Sequence, residues 1–564
     1  MGLPLRKKIL ILLAAAAAAV SCRAAAAEAA PVATAPVTAA PAPAPATAAL
    51  RRLVIAETLE QGNALRAQTG DAFLVVAESL RFLNVADLEK RLIGGRGQPI
   101  SEPLLVAINQ IVEGVVRATE NPLSAAIIPA QNIGDGTVVV TLLLGRYREI
   151  KFVGNRWYSD TLIRQRLGVE PGRAIRLSEL DQAVARANAS PFRRLRVHLD
   201  PIPNSTEANM VVTVEERLPL RLTALVDNAG NEYIGRNRIV AGVTYGNLWG
   251  REHQVTYQRI TTDRGGVMNG DTFEYAAPLG RQQMLSLSGQ RSRARPEFYG
   301  GLFAQDGRSS SLEARWHGPL TLGGRGFDAS GGISYKASNN NLEYGGQQVL
   351  ANTSAVIQAA FSLSTVIRDT RGAWAFSATG TVSPGNISDR NSDAVFNDIR
   401  AGAKSSYLIG QLTVQRLVRI GARGEMIARA TLQRTTSNLL ASEQLNAGGT
   451  GSVRGYRENS VSGDRGVLAG IEMNFPLLPE KGGRLVPRHL NDLRALAFYE
   501  AASVGPHRAT GLDAPARPIA SAGTGLRLRV AERFAAHLDY GWQLLRIARN
   551  DPHGRLHVRL SGAF

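Results

Sequence analysis

The sequence predicts a transmembrane β-barrel of about 16 antiparallel strands, preceded by two small α+β domains. Three observations predict it. No apolar run reaches the roughly 20 residues that a membrane-spanning helix needs. From about Leu218 to Phe564, apolar and polar residues alternate with a period of two. Between Asp71 and Glu216, one order of strands and helices occurs twice. The 564 residues are 44% hydrophobic and 20% charged, values that argue against wholesale disorder.

The N-terminus reads as an export signal over residues 1–29. Arg6, Lys7 and Lys8 form a positive segment, Ile9 to Val20 an apolar one, and the alanines up to Ala30 offer cleavage sites. Cys22, the single cysteine, is expected to leave with the signal, so the mature chain has neither a disulfide framework nor a thiolate metal site. Lipidation at Cys22 is the rival reading, and Ala19 fits that motif poorly. Residues 30–70 follow as an Ala/Pro-rich linker with a short helix over Leu50 to Gln68.

The first domain is expected at 71–146. Phe73 to Val76 and Leu80 to Leu83 read as strands, and Val85 to Leu92 as a helix capped by Asn84. A second helix follows Ser101, with Leu104, Leu105, Ile108, Ile111, Val112 and Val115 on one face. Strands Ala125 to Ala130 and Thr137 to Leu144 close the unit around a Gly134-Asp135-Gly136 turn. The second domain, 147–217, repeats the order. Its strands are Arg148 to Val153, Arg194 to Leu199 and Met210 to Glu215, with helices after Ser159 and from Ser178 to about Asn188. This order, with the phrases Ile128-Pro129-Ala130-Gln131 and Val153-Gly154-Asn155, resembles the polypeptide-transport-associated (POTRA) domain. The resemblance implies capture of extended clients by addition of a strand to a sheet edge.

Residues 218–564 are assigned to the barrel. Leu556, Val558, Leu560, Gly562 and Phe564 share one face of the last strand, while Arg555, His557, Arg559 and Ser561 share the other. Phe534, Ala536, Leu538, Tyr540 and Trp542 oppose Ala535, His537, Asp539 and Gln543 in the same way. Val467, Ala469, Ile471, Met473 and Phe475 likewise oppose Gly470, Glu472 and Asn474. Strands of about 10 residues with connections of similar length make 16 the best even number. Such a barrel encloses a lumen wide enough to need an occupant. The terminal Phe564 resembles an outer-membrane insertion signal.

One segment carries the functional argument: Gly448-Gly449-Thr450-Gly451-Ser452-Val453-Arg454-Gly455-Tyr456. A phosphate-binding loop would need a buried strand before it and a helix after it, and the pattern offers neither. Val453, Arg454, Gly455 and Tyr456 resemble the Val-Arg-Gly-Tyr motif of outer-membrane assembly factors. There a surface loop folds into the lumen, and its Arg pairs with an acidic residue of a Phe-x-Asp-x-Gly pattern on the inner wall. The matching segment here is Phe498-Tyr499-Glu500-Ala501-Ala502, with Glu for Asp and Ala for Gly; Glu472 is a second inward candidate.

Together with Asp227-Asn228-Ala229-Gly230 and Tyr275-x-x-Pro278-Leu279-Gly280, these features resemble the two-partner-secretion transporters, the haemolysin secretion and activation proteins of the ShlB/FhaC/HecB type. The resemblance implies a bacterial outer-membrane protein with its N-terminal domains in the periplasm. It implies as partners a secreted exoprotein of the TpsA type with an N-terminal secretion domain, outer-membrane lipid, and the barrel-assembly machinery during insertion. A barrel-assembly insertase shares the loop motif and is the alternative, although insertases usually carry more POTRA domains. Family members often carry a plug helix; the helical candidate here abuts the first domain, which argues against a separate plug.

No catalytic, cofactor or metal site is expected. The eight histidines are scattered, His553 and His557 lack the glutamate of a zinc-peptidase motif, and no G-x-S-x-G or P-loop occurs. With no ATP site, the driving force for export should come from client binding and folding outside the cell. The net charge of +18 is scattered rather than clustered, so nucleic acid is not an expected partner. Part of that charge, at Arg454, Arg555 and Arg559, is expected to face the lumen.

Overall fold

Two apolar spacings, helical before Leu218 and alternating after it, become two compact units, one ending at Arg217 and one running from Leu218 to Phe564. The computed structural model describes residues 48–564 apart from residues 69, 120, 299–302, 345–346, 351–352, 422, 478–489, 511–515, 532 and 549–551. The expected signal peptide, Cys22 and most of the Ala/Pro-rich linker lie outside the described residues.

The first unit holds two sheets, each with its own core. The first module comprises β1 (Arg52–Ala56), α1 (Leu59–Arg66), β2 (Leu74–Val76), α2 (Val85–Leu92), α3 (Glu102–Thr119), β3 (Ala125–Ile127) and β4 (Thr137–Leu143), in sheet order β2-β1-β4-β3. The second comprises β5 (Arg146–Val153), α4 (Asp160–Leu167), α5 (Leu177–Ala187), β6 (Arg193–Pro201) and β7 (Glu207–Glu216), in order β5-β7-β6.

Three expectations need correction. Leu50 to Gln68 is not one helix within a linker. Its first part is β1, which runs parallel to both β2 and β4 at the sheet centre. Leu53, Val54, Ile55 and Ala56 are all fully buried. A strand covered on both faces shows a continuous apolar run, which lacks the alternation that identifies a half-exposed strand. The first sheet therefore begins well before residue 71, and the repeat aligns β1 with β5. In both modules the first strand lies parallel to the last, and the penultimate strand antiparallel to it. The second correction concerns Leu80 to Leu83, which is not a strand. A single 3-10 turn, Glu78–Leu80, buries Leu80 and leads into Asn84, whose side chain caps α2 by accepting from the Asp87 amide at 3.2 Å. Ala125 to Ala130 shortens to β3, because Gln131 then pairs with Val139 through its side chain. It accepts from the Val139 N–H and donates to the Val139 carbonyl, both at 2.8 Å.

The two modules join at Asn121, which is fully buried. Its Nδ2 donates to the carbonyls of Gly145 (3.0 Å) and Ile175 (2.9 Å), and its Oδ1 accepts from the Gly145 amide at 3.1 Å. Alanine there would leave three buried backbone groups unpaired.

The second unit is a closed antiparallel barrel with sixteen long strands among the described residues. They are β8 (Leu220–Asp227), β9 (Arg238–Leu248), β10 (His253–Thr262), β11 (Met268–Leu279), β12 (Gln283–Ala294), β13 (Phe303–Leu322), β14 (Arg325–Tyr344) and β15 (Thr353–Asp369). There follow β16 (Gly372–Ser383), β17 (Tyr407–Ile420), β18 (Gly424–Thr435), β19 (Arg465–Pro476), β20 (Leu490–Gly505), β21 (Arg517–Val530), β22 (Phe534–Gln543) and β23 (Gly554–Ala563). Each strand pairs with the next, and β23 closes on β8 from Arg559↔Asp227 to Ala563↔Thr223. The Phe564 amide and carbonyl extend this seam by bonding to Leu222, and its ring lies 5.3 Å from Phe534.

Side-chain parity follows the sequence. Tyr499, Leu538, Trp542, Leu556, Leu560 and Phe564 are exposed on the outer wall, whereas Phe498, Glu500, Asp539 and His557 are buried inside. Connections at one end are short, such as residues 323–324 and 370–371; at the other they include 384–406 and 436–464. In outer-membrane barrels the short turns are periplasmic. The 384–406 connection carries α6 (Asp393–Ile399), whose Phe396 packs, fully buried, against Val356, Tyr407, Ile409, Leu439 and Leu440.

Asn121→Ala should lower the unfolding free energy of the N-terminal unit by about 2–4 kcal/mol, read in the full chain as a lower urea midpoint for proteolysis before Arg217. An unchanged midpoint would contradict the junction role of Asn121.

Candidate functional site

The connection from β18 to β19 does not stay outside the barrel. A small hairpin, Leu445–Ala447 paired with Val461–Gly463, carries residues 448–460 against the inner wall. Val453, Arg454 and Tyr456 at its tip are 1%, 5% and 1% exposed. Val453 and Tyr456 pack on Ala502, Val504 and Ile519 of β20 and β21.

Arg454 meets three carboxylates. Its Nε and Nη2 donate to Glu500 Oε1 at 3.0 and 2.6 Å, and its backbone N–H donates to Glu500 Oε2 at 2.7 Å. Nη1 lies 2.8 Å from Glu472 and 3.7 Å from Asp539. The guanidinium stacks over Phe498, 3.6 Å from the ring centroid, a cation–π contact in a desolvated setting. Asp539 also receives both Nη atoms of Arg527, at 2.7 and 2.9 Å, so the inner wall has its own cation before the loop arrives. A fork of fixed donors against fixed carboxylates gives geometric selectivity as well as attraction. Removing Arg454 would leave Glu472 and Glu500 facing each other across β19 and β20 without their shared cation.

Backbone contacts complete the seat. Gly455 sits at φ +93°, and a Cβ there would stand 2.7 Å from the Gly541 carbonyl. Its N–H donates to His557 Nε2 at 2.9 Å, and its carbonyl accepts from Gln543 at 2.8 Å. The Tyr456 hydroxyl bonds to the carbonyls of Ala520 (2.8 Å) and Leu545.

The glycine run upstream has a structural purpose. The amides of Gly448, Gly449 and Thr450 are engaged by Ser452 Oγ, the Val453 carbonyl and Glu458. A Cβ on Gly449 (φ +89°) would strike the Glu458 carboxylate. A phosphate cradle needs such amides open, so this is a self-braced turn.

The structure thus brings Val453, Arg454, Gly455, Tyr456, Phe498, Glu500 and Glu472 together, and places Phe564 at the distant seam. Arg555 and Arg559 face inward as expected, Arg555 donating to the Asn228 carbonyl and Arg559 lying 3.7 Å from Asp227. Sequence reasoning placed Asp539, Gln543 and His557 on polar strand faces but gave none of them, nor Arg527, a part in seating the loop. Their signal was available as inward parity near the end of the barrel. Asp464 was also missed: fully buried, it accepts from Arg400 Nη2 (3.0 Å) and from the amides of His507 (2.8 Å) and Leu439 (3.1 Å). It therefore ties the base of the loop to the connections on either side.

Comparison with known proteins gives a consistent picture. The sequence profile of the family described as haemolysin secretion/activation protein ShlB/FhaC/HecB matches residues 207–527. The heme/hemopexin transporter protein HuxB of Haemophilus influenzae is 26% identical over 149 residues, 26% of this chain and 26% of that protein. The outer membrane transporter CdiB of Dickeya dadantii is 24% identical over 372 residues, 62% of each. The matches thus span about a quarter and under two thirds of these curated relatives. The solved structure of CdiB from Escherichia coli superposes with a TM-score of 0.73 at 15% identity, covering 95% of this chain and 94% of that one, which establishes a shared fold.

Gly455→Ala cannot seat at Gly541 and should raise planar-bilayer conductance as much as Arg454→Ala does, while the barrel stays heat-modifiable on gels. Arg454→Lys, which keeps the charge but loses the fork, should fall between these and the native protein. Native-like closure of Gly455→Ala would contradict the described seat.

Proposed function

Because the chain belongs to the haemolysin secretion/activation family of ShlB, FhaC and HecB, we propose that it is an outer-membrane transporter of two-partner secretion. It takes an unfolded exoprotein from the periplasm and passes it through its own barrel. The observation that carries the reading is the loop tip buried in the lumen through Arg454, Glu500 and Glu472. Such a loop closes a wide pore at rest and leaves a defined set of contacts to break when the client passes.

The N-terminal modules suit the capture step. In the second, β7 is central, and the outer edges of β5 and β6 pair with no other strand among the described residues. A strand edge offers backbone donors and acceptors to an extended chain of almost any sequence. Arg194, Arg196 and His198 alternate along one exposed face of β6, where Arg196 pairs with Glu215 and His198 with Asp200 at 2.9 Å each. Export then proceeds without hydrolysis of a nucleotide; folding outside draws the chain through. The partners are an exoprotein of the TpsA type with an N-terminal secretion domain, outer-membrane lipid, and the assembly machinery that inserts the barrel. Phe564, whose aromatic ring is exposed on the outer wall, would serve as the insertion signal.

The test is co-expression with a candidate exoprotein of the TpsA type, in a host with an outer membrane. The exoprotein should reach the medium only when this chain is present. Arg454→Ala should cut export by about tenfold or more with the barrel still inserted. Exoprotein in the medium without this chain would refute the proposal, and general loss of outer-membrane proteins on depletion would point to an insertase instead.

A further inference from the structure

Arg454 is the visible half of the loop's attachment; the other half is a peptide group. Gly455 gives its N–H to His557 Nε2 and its carbonyl to Gln543. These side chains stand on adjacent strands, Gln543 at the end of β22 and His557 on β23, the strand that closes the barrel against β8. An imidazole nitrogen that accepts a hydrogen bond carries no proton, so the ring hydrogen sits on Nδ1. His557 is 3% exposed, and its Nδ1 has no hydrogen-bond partner among the described residues. A ring buried with one nitrogen unsatisfied gains its polar stabilisation through the other, here the Gly455 bond.

We infer that His557 is a positioning residue, an acid-sensitive pin that holds the loop tip in the lumen by accepting the Gly455 amide. The inference rests on the reading that the loop closes the pore. Protonation turns Nε2 into a donor, and two N–H groups then face each other across the former hydrogen bond. The charged groups facing the ring are Arg454 from the loop, Arg555 and Arg559 on its own strand, Asp539 opposite it on β22, and Asp227 of β8, which sits beside Arg559. An imidazolium there would add a third cation beside Arg454 and Arg555. The same event would weaken the backbone pin and crowd the guanidinium it supports. In this arrangement an acidic medium at the cell surface, or a client segment that offers Gly455 a different acceptor, frees the tip without breaking the Arg454 cluster first.

The full-length protein, His557→Gln and His557→Leu are compared in planar bilayers at about pH 7.5 and about pH 5, each first checked for a folded barrel by heat-modifiability. Glutamine can present Oε1 where Nε2 stood and does not titrate. The native protein should open about tenfold more often in acid. His557→Gln should stay closed at both values, and His557→Leu should open at both without a pH difference. A leucine variant as closed as the native protein at neutral pH overturns the inference, as does a glutamine variant that opens in acid like the native one. If the leucine variant fails to fold, the pH profile of the glutamine variant decides. Arg454→Ala separates the two readings. If it opens the pore and the leucine variant does not, His557 is not a pin; if neither opens it, the loop does not close the lumen.

Discussion

A cation can be buried in a barrel lumen only if its partners are already in place, and the placement of Arg454 is the constraint around which this structure is organised. Glu472, Glu500 and Asp539 come from three separate strands, β19, β20 and β22. Their meeting at one guanidinium requires the correct register of that whole sector of the barrel. A slip of one residue on any of these strands would turn its carboxylate toward lipid. The pairings Glu472↔Phe498 and Gly470↔Glu500 keep both acids and the stacking ring on the inner face. Breaking such a buried pair from one side costs about 3–5 kcal/mol, because the remaining charge stays desolvated.

The substitutions within the acidic pattern become intelligible at this level. Glu500 is longer than the Asp expected at its position, and it uses that reach to bind both the side chain and the backbone N–H of Arg454. Ala502, where the pattern has Gly, is buried in the cluster that packs Val453 and Tyr456, so the extra methyl group fills space beneath the loop. The cluster also explains how a mostly apolar loop tip can carry a charge inward. Its apolar residues provide burial, Arg454 provides specificity, and Gly455 allows the close approach to β22.

Much of this was legible in the sequence because a barrel wall writes its geometry directly into alternation. Alternation set Glu472 on the inner face, and the resemblance of Phe498-Tyr499-Glu500 to the inner-wall acidic pattern set Phe498 and Glu500 there with it. Where signals failed, they failed for physical reasons. β1 is buried on both faces and so shows no alternation, which let Leu50 to Gln68 read as a helix. Leu80 and Leu83 are apolar because a turn buries them, not because a strand does. Asp539, Gln543 and His557 were visible as inward residues, but their convergence on a loop about 85 to 102 positions upstream depends on closure of the barrel, which no local pattern carries. Asp464 was missed for the same reason: its partners Arg400 and His507 come from other connections.

The most direct test of the central claim is a double-mutant cycle on pore closure. The open-to-closed ratio in planar bilayers is measured for the native protein, Arg454→Ala, Glu500→Gln and the double variant. If the pair holds the loop in the lumen, each single change raises the ratio by about tenfold or more, and the double variant exceeds neither by much, a coupling of about 1.4 kcal/mol or more. Two single effects that simply add would contradict the account, since Arg454 and Glu500 would then act on the loop independently.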